Sequence, residues 1–241
     1  MKTMTTKTTS TANTRKTSKM SSRSSAALKA PDPEPARNCP VCPRLVKFRA
    51  ENIAAHPDWY NGPAPSFGAD DARLLVVGLA PGLQGANRTG RPFTGDFAGV
   101  LLYGTLKKFG FASGVYNERP DDGLKLVKAM ITNAVRCVPP QNKPTPAEIN
   151  ACRPFLLARI ESLPRLGAIV CLGRIAHESV LTALGARKAA FPFAHGARHD
   201  KVRDGVAIFD SYHCSRYNTN TGRLTPSMFE DVFRNVRDHL G

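Results

Sequence analysis

The chain has 241 residues, a formal net charge of +15 and a pI of about 9.9, and 41% of its residues are hydrophobic. This length and composition are typical of a globular domain and exclude a fibrous or wholly disordered chain. No apolar run approaches the roughly 20 residues that span a bilayer, and no apolar stretch precedes a cleavage site, so we expect neither a membrane span nor a secretory signal.

The N-terminal segment differs from the remainder of the chain. Residues 1–30 carry seven basic side chains and no acidic one, among many Ser and Thr residues, and the Pro-rich run "APDPEPAR" follows. We predict a disordered basic tail over residues 1–35 and one domain over residues 36–241. The chain without its first 30 residues still carries a net +8, which favours an anionic partner, nucleic acid first. A basic pI that serves solubility alone is the alternative.

Four short apolar runs predict buried parallel strands, since each is aliphatic or β-branched nearly throughout: 73–80, 128–135, 168–173 and 206–213. Helical patterns lie at 97–109, 146–162, 174–184 and 225–238. Thr145 and Thr225 each precede a proline, the pattern of an N-cap followed by Pro at the first helical position. The alternation predicts a three-layer α/β/α fold with a central, mostly parallel, four-stranded sheet.

In such sheets ligands bind beyond the carboxyl ends of the strands. The first strand is followed by "GLAPGLQGANRTGRPFTGD" (78–96), whose glycines allow a backbone to approach a ligand closely and to offer N–H donors. It matches neither a Walker loop nor G-x-G-x-x-G. Phe93 lies within it, and a planar side chain in a Gly-rich pocket suits base stacking as well as ordinary packing.

Two further strand ends carry polar side chains. Asn133 lies near the end of the second strand, where an amide suits the edge of a uracil-like base, although a turn Asn is the simpler alternative. His213 ends the fourth strand and opens "HCSRYNTNTGR", a polar, basic and aromatic mixture suited to a DNA-binding loop.

Four of the six cysteines lie outside the strands. Cys39 and Cys42 form a C-x-x-C pair, Cys137 follows the second strand, and Cys152 lies in the helix that begins near Pro146. Four thiolates suit Zn²⁺ or an iron–sulfur cluster, and the spacing does not choose between them. Cys171 lies within a strand and is interpreted as a small hydrophobe. Cys214 adjoins His213, but neighbouring strand residues point to opposite faces, which argues against a Cys/His nucleophilic pair.

The segments 78–96 and 211–225, together with Asn133 and the four cysteines, resemble the signature motifs of the family 5, or type-b, uracil-DNA glycosylases of bacteria and archaea. The resemblance covers roughly residues 38–240. It implies the uracil-DNA glycosylase α/β/α fold, a DNA base-excision repair activity that removes uracil hydrolytically and leaves an abasic site, and a structural [4Fe–4S] cluster held by Cys39, Cys42, Cys137 and Cys152.

The resemblance also implies roles for individual residues. Ala80 occupies the position of a water-activating Asp in other uracil glycosylases, and Asn87 would help to place the water. Phe93 would stack on the flipped base, Asn133 would read the base edge, and His213 would stabilise the departing anion. Gly78 and Ala80 would also belong to the base-binding site. Asp96 would assist electrostatically, although an N-cap is its simpler role. The expected DNA contacts are Arg88, Ser215, Arg216, Asn218 and Arg223.

Two positions depart from the family pattern. Cys214 stands where the family often has Pro, which predicts a looser loop. Asn87 stands where an Asp is possible, and an amide orients water without deprotonating it. A site without a strong base favours acceptance of other deaminated bases, hypoxanthine especially. We expect a monomer acting on such DNA in the bacterial cytoplasm, associated with the nucleoid. The alternatives are a non-catalytic Cys₄ zinc or iron–sulfur nucleic-acid-binding module and, more weakly, a C-x-x-C redox enzyme.

Overall fold

The central sheet of this protein has six strands in the computed structural model, which describes residues 1–5 and 32–241. In chain order the strands are β1 (Phe67–Gly68), β2 (Leu74–Gly78), β3 (Ala112–Ser113), β4 (Lys125–Leu126), β5 (Ala129–Asn133), β6 (Ala168–Leu172), β7 (Arg198–Arg203) and β8 (Val206–Ser211). The sheet order is β1-β5-β2-β6-β8-β7, and β3 pairs with β4 in a separate ribbon. The four predicted strands are the parallel centre of the sheet.

The predicted count of four strands is corrected by two antiparallel edge strands, β1 beside β5 and β7 beside β8. β1 has two residues, too few for a pattern, and β7 reads "RHDKVR" with no fully buried position. Apolarity predicts strands covered on both faces, whereas edge strands face solvent and are often charged.

The helices are α1 (Pro43–Ala55), α2 (Ala86–Thr89), α3 (Phe97–Lys108), α4 (Pro146–Glu161), α5 (Arg174–Ala183), α6 (Arg216–Asn220) and α7 (Pro226–Leu240). The predicted caps begin α4 and α7: Thr145 accepts from Glu148 N within a capping box, and Thr225 accepts from Met228 N. None of the helices in the described residues is long and apolar enough to cross a bilayer.

Alternating side chains of β2 divide the core into two layers. Leu74 and Val76 pack into the cluster that contains residues of α3 and α7. Leu75 and Val77 face the other cluster, with residues of α4 and α5. Because successive strand residues point to opposite faces, the sheet lies between two helical layers, as the predicted α/β/α fold requires.

Glu34, which lies within the predicted tail of residues 1–35, contacts the folded domain. Glu34 accepts hydrogen bonds from the buried guanidinium groups of Arg136 and Arg159 and from the backbone N–H of Ser66. Burial alone would raise the pKa of the Glu34 carboxyl, but Arg136 and the hydrogen bonds lower it overall. Glu34 therefore belongs to the folded domain, and the predicted disorder of the tail falls mostly on residues 6–31, outside the described residues.

Candidate active site

A cavity of about 480 Å³ opens at the carboxyl ends of β2, β5 and β8. Its more exposed lining residues, which form the mouth, are Gln84, Phe97, Asn142 and Arg216. Buried residues, among them Phe93 and Asn133, form its floor. The parallel sheet thus brings the three predicted strand ends into one pocket, as such sheets do.

Phe93 and Asn133 meet at the floor above Gly78. A Cβ atom on Gly78 would lie 2.8 Å from Phe93 Cζ and would also clash with Asn133 Oδ1, so only glycine fits there. Phe93 itself has a left-handed backbone, with φ +53°. Asn133 is 3% exposed, and its side-chain amide makes no hydrogen bond to other side chains or backbone of residues 32–241. The floor therefore offers an aromatic face beside a free amide donor and acceptor.

His213 lies against this floor. Its ring is 5.9 Å from that of Phe93, centroid to centroid, at an interplanar angle of 29°. Burial lowers the pKa of His213 to about 4, so its imidazole is neutral near pH 7. A neutral imidazole still carries one N–H donor, which points to hydrogen bonding rather than a fixed positive charge at this site.

Asp96 supplies a carboxylate to the cavity lining while it caps α3, accepting from Gly99 N at 3.2 Å. Burial raises the pKa of the Asp96 carboxyl, opposed by backbone hydrogen bonds from Gly99 and Ala98. Ala80 also lines the cavity, and it brings no polar side chain. The two roles considered for Asp96, cap and electrostatic participant, are compatible in this position.

Asn87 is buried in α2, behind the residues that line the cavity, and its Nδ2 donates to Asn61 Oδ1 at 3.0 Å. Asn61 Nδ2 in turn donates to His56 O at 2.6 Å. This arrangement uses the Asn87 amide to join two loop segments. A role in placing the attacking water stays a prediction.

Four of the five predicted DNA contacts line the strand-end cavity or a second groove beside it, and Arg88 lines a separate surface groove with Trp59 and Tyr60. Arg216 lines the mouth, with its guanidinium 5.2 Å from the Phe97 ring, and Ser215 caps α6. Arg88 is exposed and donates to Gln84 O at 2.9 Å. Arg223 lies 4.5 Å above the Tyr212 ring in the second groove, which Arg174 and Phe193 also line. Both openings therefore carry exposed cations.

The loop after His213 is held by two contacts, and the looser loop expected from Cys214 stays a prediction. Cys214 is completely buried in the core cluster that contains Phe93 and Leu224. Asn218, predicted as a DNA contact, donates through Nδ2 to His213 O at 2.8 Å and so holds the loop from within. The Cys214 thiol thus contributes an apolar contact to the core.

Asn142, which borders the site, and Tyr217, an exposed residue next to Arg216 in sequence, were not predicted from the sequence. Asn142 lines the mouth, and it follows Gln141 in a pair of left-handed residues with φ +57° and +55°. Tyr217 on α6 is 72% exposed, an unusual position for an aromatic ring. Asparagine tolerates the left-handed region, so the Pro-flanked "QN" was the available signal for the first.

Cys39, Cys42, Cys137 and Cys152 line one small cavity with apolar side chains of α1 and α4. Arg49 lies 3.8 Å from Cys137 Sγ and also donates to Cys39 O, while the backbone N–H of Arg136 donates to Cys152 Sγ at 3.4 Å. Burial raises the pKa of the Cys137 thiol to about 12 and that of the Cys152 thiol to about 11, while Arg49 and the backbone N–H of Arg136 oppose that rise. Such contacts stabilise a sulfur that becomes a thiolate when it binds a metal.

The spacing of these sulfurs bears on which group they hold. Tetrahedral zinc with Zn–S bonds of about 2.3 Å places its sulfurs ~3.8 Å apart. Within residues 32–241, only Cys171, His177 and Asp210 bring three ligand atoms within 4.8 Å of one another, so the four thiols are more widely spaced than a zinc site requires. A four-iron cluster binds each thiolate to a different iron, and the wider spacing fits it.

The Cys171–His177–Asp210 group is a buried hydrogen-bond network. His177 Nδ1 lies 2.7 Å from Asp210 Oδ1, and its Nε2 lies 2.8 Å from Phe191 O, so both ring nitrogens face hydrogen-bond acceptors. Burial alone would lower the pKa of His177, but Asp210 raises it overall. Two ligand atoms around zinc lie ~3.3 Å apart, so the 2.7 Å separation marks an ion pair.

Comparison with known proteins matches the sequence of this chain to one family. The family model described as "Uracil DNA glycosylase superfamily" matches residues 65–237. The "Type-5 uracil-DNA glycosylase" of Thermus thermophilus is 46% identical over 209 residues, covering 84% of this chain and 94% of the relative. That of Pyrobaculum aerophilum is 40% identical over 210 residues, covering 85% and 90%. The "Type-4 uracil-DNA glycosylase" of Sulfurisphaera tokodaii is 30% identical over 207 residues, covering 83% and 80%.

Proposed function

The chain belongs to the uracil-DNA glycosylase superfamily, with type-5 enzymes among its relatives, and we propose that it extrudes uracil from DNA into the strand-end cavity and hydrolyses the N-glycosidic bond. The observation that carries the proposal is the floor of that cavity, where Phe93 and Asn133 lie beside His213. A binding module without catalysis has no need for an aromatic face, a free amide and an imidazole in one pocket.

Binding of the base begins with extrusion, because a base inside a duplex is out of reach. Extrusion costs a few kcal/mol, and least for a mismatched base such as uracil opposite guanine. In the cavity the base would stack on Phe93 and hydrogen-bond to Asn133, whose amide presents both a donor and an acceptor. The cavity of about 480 Å³ has room for a purine as well, which supports hypoxanthine as a further substrate.

Cleavage of the N-glycosidic bond builds positive charge on the sugar and negative charge on the base. A neutral His213 would donate a hydrogen bond to that anion as it forms, where backbone N–H groups of the segment 78–96 can contribute as well. Ala80 offers no base for the attacking water. Asp96 is then the carboxylate of the lining that would stabilise the charged sugar and orient water.

We also propose that Cys39, Cys42, Cys137 and Cys152 hold a [4Fe–4S] cluster. When bound, it would cross-link the segment before α1, the segment after β5 and helix α4. Arg44 lies in α1, close to Cys42 in sequence. It donates to the Glu148 carboxylate at 2.7 and 2.8 Å and to Lys143 O at 3.0 Å. These contacts fix the loop that carries Asn142, so the role of the cluster would be to stabilise loops at the DNA side of the cavity.

The DNA itself would lie across the two openings. Arg88, Arg216 and Arg223 would meet phosphates, Ser215 a phosphate oxygen, and Asn218 would act through the loop that it holds. We propose that the protein acts as a monomer in the bacterial cytoplasm, at the nucleoid. The net charge of +15 supports DNA as the partner.

The activity is tested with duplex oligonucleotides that carry one uracil, hypoxanthine or xanthine. Cleaved strands after alkali treatment reveal abasic sites. Uracil release with no strand break before alkali is the expected result. Tight DNA binding without base release would instead favour the non-catalytic Cys₄ module.

Replacing Asn133 by Ala should lower the single-turnover rate on uracil by about tenfold or more and change the ratio of uracil to hypoxanthine cleavage. The reason is that a base edge left without its buried partner loses a hydrogen bond that discriminates between bases. Asn150→Ala on the exposed side of α4 is the matched control and should retain the wild-type ratio. An unchanged ratio in Asn133→Ala would show that base reading lies elsewhere.

Deleting residues 1–30 should weaken DNA affinity and flatten its salt dependence while leaving turnover at saturating DNA nearly intact. Seven cations are lost, and each phosphate contact contributes to the slope of log K against log salt. Fluorescence anisotropy at several salt concentrations measures the slope. A collapse of turnover at saturating DNA would instead place the tail in the site.

A further inference from the structure

The segment between β3 and β4 does not line the strand-end cavity, yet one of its carboxylates is bonded to the motif that forms the floor. Asp122 accepts two hydrogen bonds from Arg91, each 2.8 Å long, and further bonds from Asn117 N at 2.8 Å and Leu124 N at 3.1 Å. The side chains of Arg91 and Asp122 are 5% and 1% exposed. The Arg91 hydrogen bonds hold the pKa of the Asp122 carboxyl well below its usual range, so the pair is charged.

Arg91 extends this pair toward the aromatic side chains behind the floor. Its Nε donates to Thr94 Oγ1 at 2.7 Å, and its guanidinium lies 5.5 Å from the ring of Tyr103 and 5.7 Å from that of Tyr116. A buried guanidinium without its carboxylate would be an uncompensated charge in an apolar site. Asp122 therefore determines whether Arg91 stays in place.

Tyr103 and Tyr116 connect Arg91 to the backbone on either side of Phe93. Tyr103 Oη donates to Pro92 O at 2.5 Å, and Tyr116 Oη donates to Phe93 O at 3.0 Å. They bind the peptide groups on either side of the left-handed Phe93, φ +53°. A bulky residue in that region costs energy and persists only when its surroundings hold it.

We propose that Asp122 is a positioning residue of the reaction: through Arg91, Tyr103 and Tyr116 it holds the Phe93 backbone in the left-handed conformation that places the ring beneath the flipped base. The proposal rests on the base-binding role of Phe93 in the proposed function. Asp122 itself contacts neither the base nor the reacting atoms.

The test is the single-turnover rate on uracil–guanine duplexes, with DNA affinity and thermal unfolding measured on the same proteins. Asp122→Asn should lower the rate by about tenfold or more, since base–aromatic stacking has effects of this size, and should change affinity little. Asp121→Asn is the matched control: its carboxylate is 65% exposed and pairs with Arg119 at 3.0 Å, and this variant should cleave at the wild-type rate.

A double-mutant cycle separates positioning from general damage. In a Phe93→Ala background, Asp122→Asn should cost no further rate, because its effect passes through the missing ring. The same fold-loss in both backgrounds, or no loss in the wild-type background, overturns the proposal.

Tyr116→Phe, which removes one hydroxyl and keeps the ring, provides a second cycle if Asp122→Asn does not fold. A loss that disappears without Phe93 supports the proposal, and an unchanged rate overturns it.

The activity of the wild-type protein distinguishes a failure of this proposal from a failure of the proposed function. If neither wild type nor Asp121→Asn releases uracil, the proposed function fails. If both release it, the Asp122 comparison stands on its own.

Discussion

Replacing His213 by Ala should slow single-turnover release of uracil by at least about 100-fold with little change in DNA binding, which is the loss typical of one oxyanion-type donor. His213 meets the leaving base as negative charge develops, so its absence should appear in the chemical step. His239→Ala is a suitable control, because His239 lies against Gly167 O at the opposite end of the sheet. A His213→Ala protein that cleaves uracil at the wild-type rate would leave anion stabilisation to backbone donors alone.

The pH dependence gives an independent view of the same residue. Because burial lowers the pKa of His213 from 6.5 to about 4, the neutral form persists as the pH falls below 6.5 and is lost only near pH 4. Titration of His213 should therefore leave the single-turnover rate level between pH 8 and about pH 5. An acid limb near pH 6.5 that disappears in His213→Ala would show that this imidazole titrates as an exposed one does.

Replacing Cys39 by Ala should remove the brown colour of the purified protein together with its solubility. The four cysteines come from segments far apart in sequence, so a missing ligand frees them from one another. Absorbance near ~400 nm, iron and sulfide content and thermal unfolding measure the loss. The same result is expected for Cys42, Cys137 and Cys152.

Cys171→Ala is the matched control for the colour. Cys171 is fully buried within β6, away from the four-cysteine cavity, so its loss should cost packing stability of about 1 kcal/mol and leave the absorbance intact. A soluble and fully active Cys39→Ala protein with unchanged absorbance would contradict the cluster, as would stoichiometric zinc in the wild type.

The sequence predicts the parallel centre of the fold well because buried strands leave long apolar runs. "RLLVVGLA" (73–80) is an example, and it contains all of β2. Thr145 and Thr225 also mark their helices correctly, since capping is local chemistry. Apolar runs do not reveal the edge strands. β7 is charged, and only its pairing with β8 makes it a strand.

The site is predictable where it lies at the end of a strand. Asn133, Phe93 and His213 converge at the strand ends, as the arrangement of a parallel sheet requires. Asp122 is different, because nothing in "PDDG" distinguishes it from Asp121 until the fold brings Arg91 beside it. Long-range ion pairs of this kind leave no local pattern, and neither does the burial of Cys214.

The position of β2 at the middle of the sheet has a consequence for biosynthesis. β2 ends at Gly78, but its two partners begin at Ala129 and Ala168, much later in the chain. During translation it therefore leaves the ribosome with both edges unpaired, and the neighbouring pair β6–β8 is completed only at Ser211. Parallel pairing between distant segments is slow because the loops must close first. We therefore expect the sheet to be completed late in synthesis, with β2 lacking both partners until β5 and β6 have been made.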